Sequence, residues 1–230
     1  MEIKKKYKLT DECIIQDGHT LYRIEAVTDF GNVRAGDKGG WVESYINLSF
    51  DGLAWVYDNA KVYGKARVYD NAKVYGDAMA AASVYGTAIV CGFAKVYDDA
   101  KVFANASVQG EANVYGMAKV FGNAMVYGKA EVAGRAIVSD ETEITGNAIV
   151  LNIHDYILFK NWWGSGRFFT WTRSNNMWRV GCFYGTGEAL IARAYKDSML
   201  SGQEYERVVN YVKSILEDTS DRKGQENGER

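Results

Sequence analysis

Proline is missing from all 230 residues, so no proline-rich linker divides the chain. Cysteine is scarce. Cys13, Cys91 and Cys182 are far apart, odd in number and without metal-ligand spacing, which suits a reducing compartment better than a disulfide framework. Only two histidines occur, His19 and His154, too few for a three-histidine zinc site. Neither sign of charge is in excess: 27 basic and 29 acidic residues give a net charge of −2. That removes any bulk electrostatic drive towards nucleic acid or an anionic membrane. No run approaches the roughly 18 apolar residues of a membrane helix, and the opening MEIKKKYKL has no apolar signal core. The expectation is a soluble cytoplasmic protein with no membrane partner, no metal and no cofactor.

What is abundant is a six-residue repeat. Residues 60–77 read AKVYGK ARVYDN AKVYGD, and residues 112–129 read ANVYGM AKVFGN AMVYGK. A hexad period predicts a β-solenoid in which each repeat supplies one short strand and one tight corner. Ala and Val are two apart and point inward, while the residue between them and the aromatic after Val point out. Gly, Asn or Asp supplies the corner, where the backbone turns left-handed or an Asx turn forms. About seventeen hexads, three to a coil, give between about five and six coils. The fold class is therefore mainly β: a left-handed parallel β-helix with an N-terminal β cap and a small C-terminal α+β domain of three strands and two helices. The domains are 1–52 (cap), 53–151 (β-helix), 152–217 (α+β module) and 218–230 (flexible polar tail). Within the cap, KKYKLT, ECIIQ and TLYRIEAV read as strands, and residues 31–52 as glycine-rich and irregular. A cap is needed because an open coil exposes core and unpaired strand edge.

The hexads lose phase once. Val74 and Val84 are ten apart around the small-residue run AMAAASV, which reads as a tightened corner. It is either a tolerated deletion or a docking notch for a terminal segment. Counting it as one hexad stacks the outer residues in three columns. One carries Trp55, Tyr57, Tyr75 and Cys91, and a third mixes Lys61, Tyr63, Met79, Lys95, Tyr97 and Tyr115. The second carries Arg67, Tyr69, Tyr85, Lys101, Phe103, Lys119 and Phe121, a candidate binding strip through cation–π or stacking contacts.

VTDFGNVRAGDKGGWVESYINLSFDGLAWVYDNAKVYG, with Gly39-Gly40-Trp41-Val42, Asn47-Leu48-Ser49 and Trp55-Val56-Tyr57-Asp58-Asn59-Ala60, resembles the start of the YdcK-like hexapeptide-repeat proteins, bacterial and phage-associated members of the trimeric acyltransferase superfamily. The tail, with GCFYGT at 181–186, is similar to a module of phage and prophage proteins. The resemblance implies the left-handed fold and favours a trimer, although a covering tail leaves monomer or dimer open. It also implies the alternative of an acyl-CoA-dependent acetyltransferase, whose general base is a histidine on the coils. Residues 53–150 contain no histidine, and the loop that covers the acyl-CoA site in that superfamily has no counterpart here. His154, beside Asp155, is the weak catalytic candidate.

Between Asp155 and Glu188 no acidic residue occurs. Lys160, Arg167, Arg173 and Arg179 are interleaved there with Trp162, Trp163, Trp171 and Trp178. That pattern suits an acidic protein surface or, as an alternative, a nucleotide or nucleic-acid strand. The competing expectation is that one aromatic face of this sheet is simply core. The reading is a non-enzymatic interaction or scaffold protein, in its specific version a phage or prophage accessory that binds and inhibits a host or defence protein.

Overall fold

The computed structural model describes the backbone of residues 5–226 and the side chains of residues 5–217. The chain forms two compact units. One runs as far as Ile157 and includes Thr172–Asn175; the other comprises Leu158–Trp171 and the chain from Asn176 onward.

In the first unit the hexads form two-residue strands β4 to β19, running from Trp55–Val56 to Ile149–Val150. Strands on successive turns pair in parallel: Lys101 with Ser83 and Lys119, Val102 with Val84 and Val120. The product is a parallel β-solenoid of about 6 turns, built as three sheets. Inward Ala and Val residues, such as Ala100, Val102, Ala106 and Val108, are buried. Each buried Val contributes about 1.5–3 kcal/mol of transfer free energy. At the corners Asp58, Asp70, Asp98 and Asp140 adopt left-handed φ between 51° and 60°. Three of these also staple coils together, because Asp58, Asp70 and Asp98 accept the N–H of Gly76, Gly86 and Gly116 at 3.1 Å. These aspartates are therefore corner pieces, whereas Glu131 and Glu143 stand on strands.

The phase break is a tightened corner. Only Ala81 and Ala82 separate β7 (Met79–Ala80) from β8 (Ser83–Val84). Met79 pairs with Lys61 on one side and Lys95 on the other, so the columns stay in line across the shortened coil.

The N-terminal region differs from expectation in three ways. KKYKLT and ECIIQ contribute to a single strand, β1 (Tyr7–Gln16), which carries an irregularity between Leu9 and Cys13. The glycine-rich stretch is not irregular throughout, since it contains β3 (Lys38–Val42). This strand pairs antiparallel with β2 (His19–Ala26) and parallel with Lys61–Val62, joining the hairpin to a solenoid sheet. Its two glycines are required by close approach: a Cβ on Gly39 would lie 2.6 Å from Trp55 and Ile24, and one on Gly40 2.5 Å from the Ala60 carbonyl. Thirdly, Trp55 points outward by alternation yet is buried, because the rings of Tyr7 and Phe30 pack against it in T-shaped contacts.

Lys6 pins the same region. It is 5 % exposed, and its ammonium donates to the carbonyls of Asp51, Gly52 and Ala54 at 3.3, 3.1 and 2.9 Å. Desolvation lowers its pKa to about 8, against which nearby Asp51 acts. In the unfolded chain Lys6 holds its proton up to about 10.4. Between the two values the unfolded state binds more protons, so stability rises with pH through that window. Wild type is expected to gain about 2 kcal/mol relative to Lys6→Met between pH 7 and 10. Urea midpoints of both proteins across that range test it, and parallel profiles would remove the assignment.

A fourth sheet has the order β20 (Tyr156–Lys160), β21 (Phe168–Thr172), β22 (Met177–Val180), β23 (Phe183–Gly185). Four strands replace the expected three because MWRVGCFY folds back on itself. Gly181, at φ 55°, opens a two-residue turn, and Val180 pairs with Phe183. Helix α1 (Gly187–Asp197) starts at Thr186, whose hydroxyl accepts the Ala189 N–H at 3.3 Å. Helix α2 (Met199–Glu226) buries Tyr205, Val209 and Val212, which recur at helical spacing. It continues through Glu226, into the 218–230 segment read as a flexible polar tail; residues 227–230 lie outside the described residues. Among the described residues no helix is long and apolar enough to cross a membrane.

Candidate functional site

On the second solenoid face, the one-per-rung aromatic becomes a continuous stack. Tyr69, Tyr85, Phe103 and Phe121 follow one another at 4.7–4.9 Å with interplanar angles of 3–8°. In-register parallel strands impose this spacing, and offset stacking makes it favourable. The geometry also limits what the face can bind. Rings that cover each other present only edges, so a base or a sugar cannot lie flat on the middle of the ladder. Beside it stand Arg67, Lys101 and Lys119, exposed and without an ion-pair partner among the described residues. Lys101 and Lys119 are direct neighbours on adjacent strands. Like charges so placed cost stability, which an anionic partner would offset.

The eight basic and aromatic candidates between Lys160 and Arg179 divide sharply. Trp171 and Trp178 are 0 % and 1 % exposed, and are core residues rather than contact residues. The Trp171 indole donates to Asn176 Oδ1 at 2.9 Å, while the Trp178 ring lies against Phe159 and Phe169. A small sheet under two helices needs exactly such large side chains to bury enough apolar surface. Trp163 is half-buried, edge-on to Tyr205 at 4.9 Å. Arg179 is half-buried on β22, opposite Tyr184. Arg173 belongs to the first unit, where its Nε donates to the His154 carbonyl at 3.2 Å.

Lys160, Trp162 and Arg167 remain exposed, Lys160 at the end of β20 and the other two on the loop that leads to β21. Trp162 is 73 % exposed. The loop is held by backbone bonds from Asn161 N to Arg167 O (2.8 Å) and Gly166 N to Asn161 O (2.9 Å), and by Asn161 Nδ2 donating to Tyr205 Oη at 3.0 Å. Lys160 Nζ lies 5.6 Å from the centre of the exposed Phe168 ring. The loop thus displays an exposed indole, 5.9 Å from the Trp163 ring, that lies between two exposed cations along the chain.

The histidine candidate does not acquire an orienting acid. Asp155 Oδ2 accepts the backbone N–H groups of Leu151 and Asn152 at 2.8 and 3.0 Å and caps that turn. Among the described residues, His154 bonds through its backbone, donating to Asn152 Oδ1 and accepting from Arg173. His19 is bonded to Glu43 at 2.9 Å. Among the described residues no three His, Cys, Asp or Glu side chains cluster as a metal site.

One feature of the third face was not foreseen. A groove of about 500 Å³ is lined by Asp17 from the β1–β2 turn together with Tyr63, Met79, Ala81, Lys95, Tyr97, Tyr115 and Glu131. The sequence signal was present: the column reads Tyr63, Ala81, Tyr97, Tyr115, Ala133, and the first of its two missing rings falls at the phase break. What the sequence could not supply was Asp17, brought in from 46 residues away to accept the Tyr63 hydroxyl at 2.7 Å. No family model matches the chain, and no curated protein matches it in sequence.

Proposed function

We propose that the chain is a non-enzymatic recognition protein whose Lys160–Phe168 loop contacts an acidic surface on a partner protein. The observation that carries this reading is Trp162: a large apolar ring, 73 % exposed, on a loop fixed by hydrogen bonds and flanked by Lys160 and Arg167. Exposed tryptophan and arginine on one loop are the residue types that dominate binding energy at protein interfaces. A pre-fixed loop lowers the entropy lost on binding. The solenoid acts as a stiff carrier, with Arg67, Lys101 and Lys119 as a further anionic contact. Left-handed winding, sealing of the first coil by the N-terminal sheet and kinship with the YdcK-like repeat proteins belong to the same proposal. So does the specific version, an accessory that blocks a host or defence protein.

Capture of partners from a lysate of the native host tests it. Trp162→Ala and Arg167→Glu are each expected to weaken capture of a partner at least about thirtyfold, as hot-spot losses of 2 kcal/mol do. Their melting temperatures should match wild type. Undiminished capture by both variants would refute the assignment. Turnover of acetyl-CoA that is lost in His154→Ala would instead favour the acetyltransferase reading, and nucleic acid as the captured species would favour the nucleic-acid one.

A further inference from the structure

The groove on the third solenoid face has the chemistry of a site. Tyr97 and Tyr115 stack at 5.0 Å with planes 2° apart, continuing the ladder rule of the second face. At the next rung the rule fails. Ala81 N donates to Val96 O at 2.7 Å, and Tyr63 N donates to Ala80 O at 3.2 Å, so Ala81 lies in line between Tyr63 and Tyr97 with no ring to offer. Tyr63 and Tyr97 are two rungs apart, about 10 Å at the usual inter-strand spacing. The omission leaves a gap at Ala81 beside the half-buried Tyr97 ring, closed at its other end by Tyr63, whose ring is buried against His19 at 5.1 Å. Met79 forms part of its wall, and its sulfur lies 4.0 Å from the Tyr63 hydroxyl.

The rim adds a sign. Asp17, Asp98 and Glu131 line the groove against a single cation, Lys95. Two of these carboxylates are held in place by phenols of the column: Tyr63 donates to Asp17 at 2.7 Å and Tyr115 donates to Glu131 at 3.2 Å. That bond also holds the Asp17 carboxyl below its ordinary pKa, so it stays ionised. Three carboxylates around tyrosine rings repel a phosphate and attract a cation. A gap beside an aromatic ring favours a flat cation.

We propose that this gap is a binding slot for a guanidinium group, the side chain of an arginine on a partner protein. A guanidinium stacks on an aromatic face while its in-plane N–H groups reach carboxylates at the rim, which an ammonium cannot do with one geometry. The slot lies in the solenoid unit, so it stands or falls independently of the Lys160–Phe168 loop.

A methyl NMR titration, observing Met79 and Ala81 in the full chain, tests the proposal. The probe is Nα-acetyl-arginine methylamide, which carries the side chain without free backbone charges. It should shift both methyls with a dissociation constant on the order of 1 mM. The neutral citrulline analogue should bind at least tenfold more weakly. Ala81→Tyr restores the missing rung and should abolish the shifts at Met79. The isosteric pair Asp17→Asn with Glu131→Gln covers the case in which Ala81→Tyr does not fold, and should weaken binding at least tenfold. Asn tolerates the left-handed backbone of position 17 (φ 49°). The proposal is overturned if the arginine probe shifts neither methyl, or if citrulline binds equally well. It is also overturned if binding survives in the variants, or if free arginine binds and the blocked amide does not.

Discussion

Replacing Trp178 by alanine is expected to remove about 3–5 kcal/mol from the stability of the C-terminal unit. The ring is 1 % exposed, lies 5.7 Å from Phe159 and 6.2 Å from Phe169, and has Gly187 of α1 packed against its indole nitrogen. Among the described residues its neighbours include two large rings on the strand side and Gly187 on the helix side, which are poorly suited to fill the space it leaves. A unit this small has only a few kcal/mol in reserve. Urea titration followed by the helical circular dichroism signal should show an early loss of α1 and α2. Trp162→Ala, sixteen positions earlier on the exposed loop, should leave that signal unchanged while losing partner capture. The pair separates the two roles that tryptophans play in one short sheet. A mild phenotype for Trp178→Ala would mean that the packing around β22 is looser than the ring contacts require.

The second large effect concerns the solenoid interior. Val102→Asp places a carboxylate among Val84, Val120 and the flanking inward alanines, all buried and none able to donate a hydrogen bond from its side chain. Burial of an unpaired charge costs more than about 4 kcal/mol, or forces the group to remain protonated. Because each coil contacts only its neighbours, a failure here separates the coils above from those below. Limited proteolysis should cut within residues 96–108, and the β signal should be lost at lower urea. Lys101→Asp, one residue away on the same strand but facing out, should leave the urea midpoint nearly unchanged. Equal effects would contradict the inside–outside alternation on which the fold depends.

The alternation was legible because it is written into every hexad. Ala and Val recur two apart, corners take Gly or Asp, and the ten-residue step at Val74–Val84 announces the tightened corner. The N-terminal segment was less legible. Its β3 strand is rich in glycine, a poor strand former in isolation, and exists because Gly39 and Gly40 alone permit the approach of Trp55 and Ala60. The C-terminal surface was legible only as a composition. Eight basic and aromatic residues looked alike in sequence, and alternation along β21 could not separate them, since Thr170 on the face opposite Trp171 is buried too.

The sequence by itself determined the repeat, the inward and outward residues, the three outer columns and the absence of histidine from the coils. These are local or periodic properties, and a parallel in-register stack copies them from one turn to the next. Only the tertiary structure decided which tryptophans are core and which is bare, that Asp155 caps a turn instead of orienting His154, and that Asp17 closes one side of the gap at Ala81. Each of those depends on contacts between residues that are distant along the chain or on the direction of a single side chain. No period in the sequence encodes either.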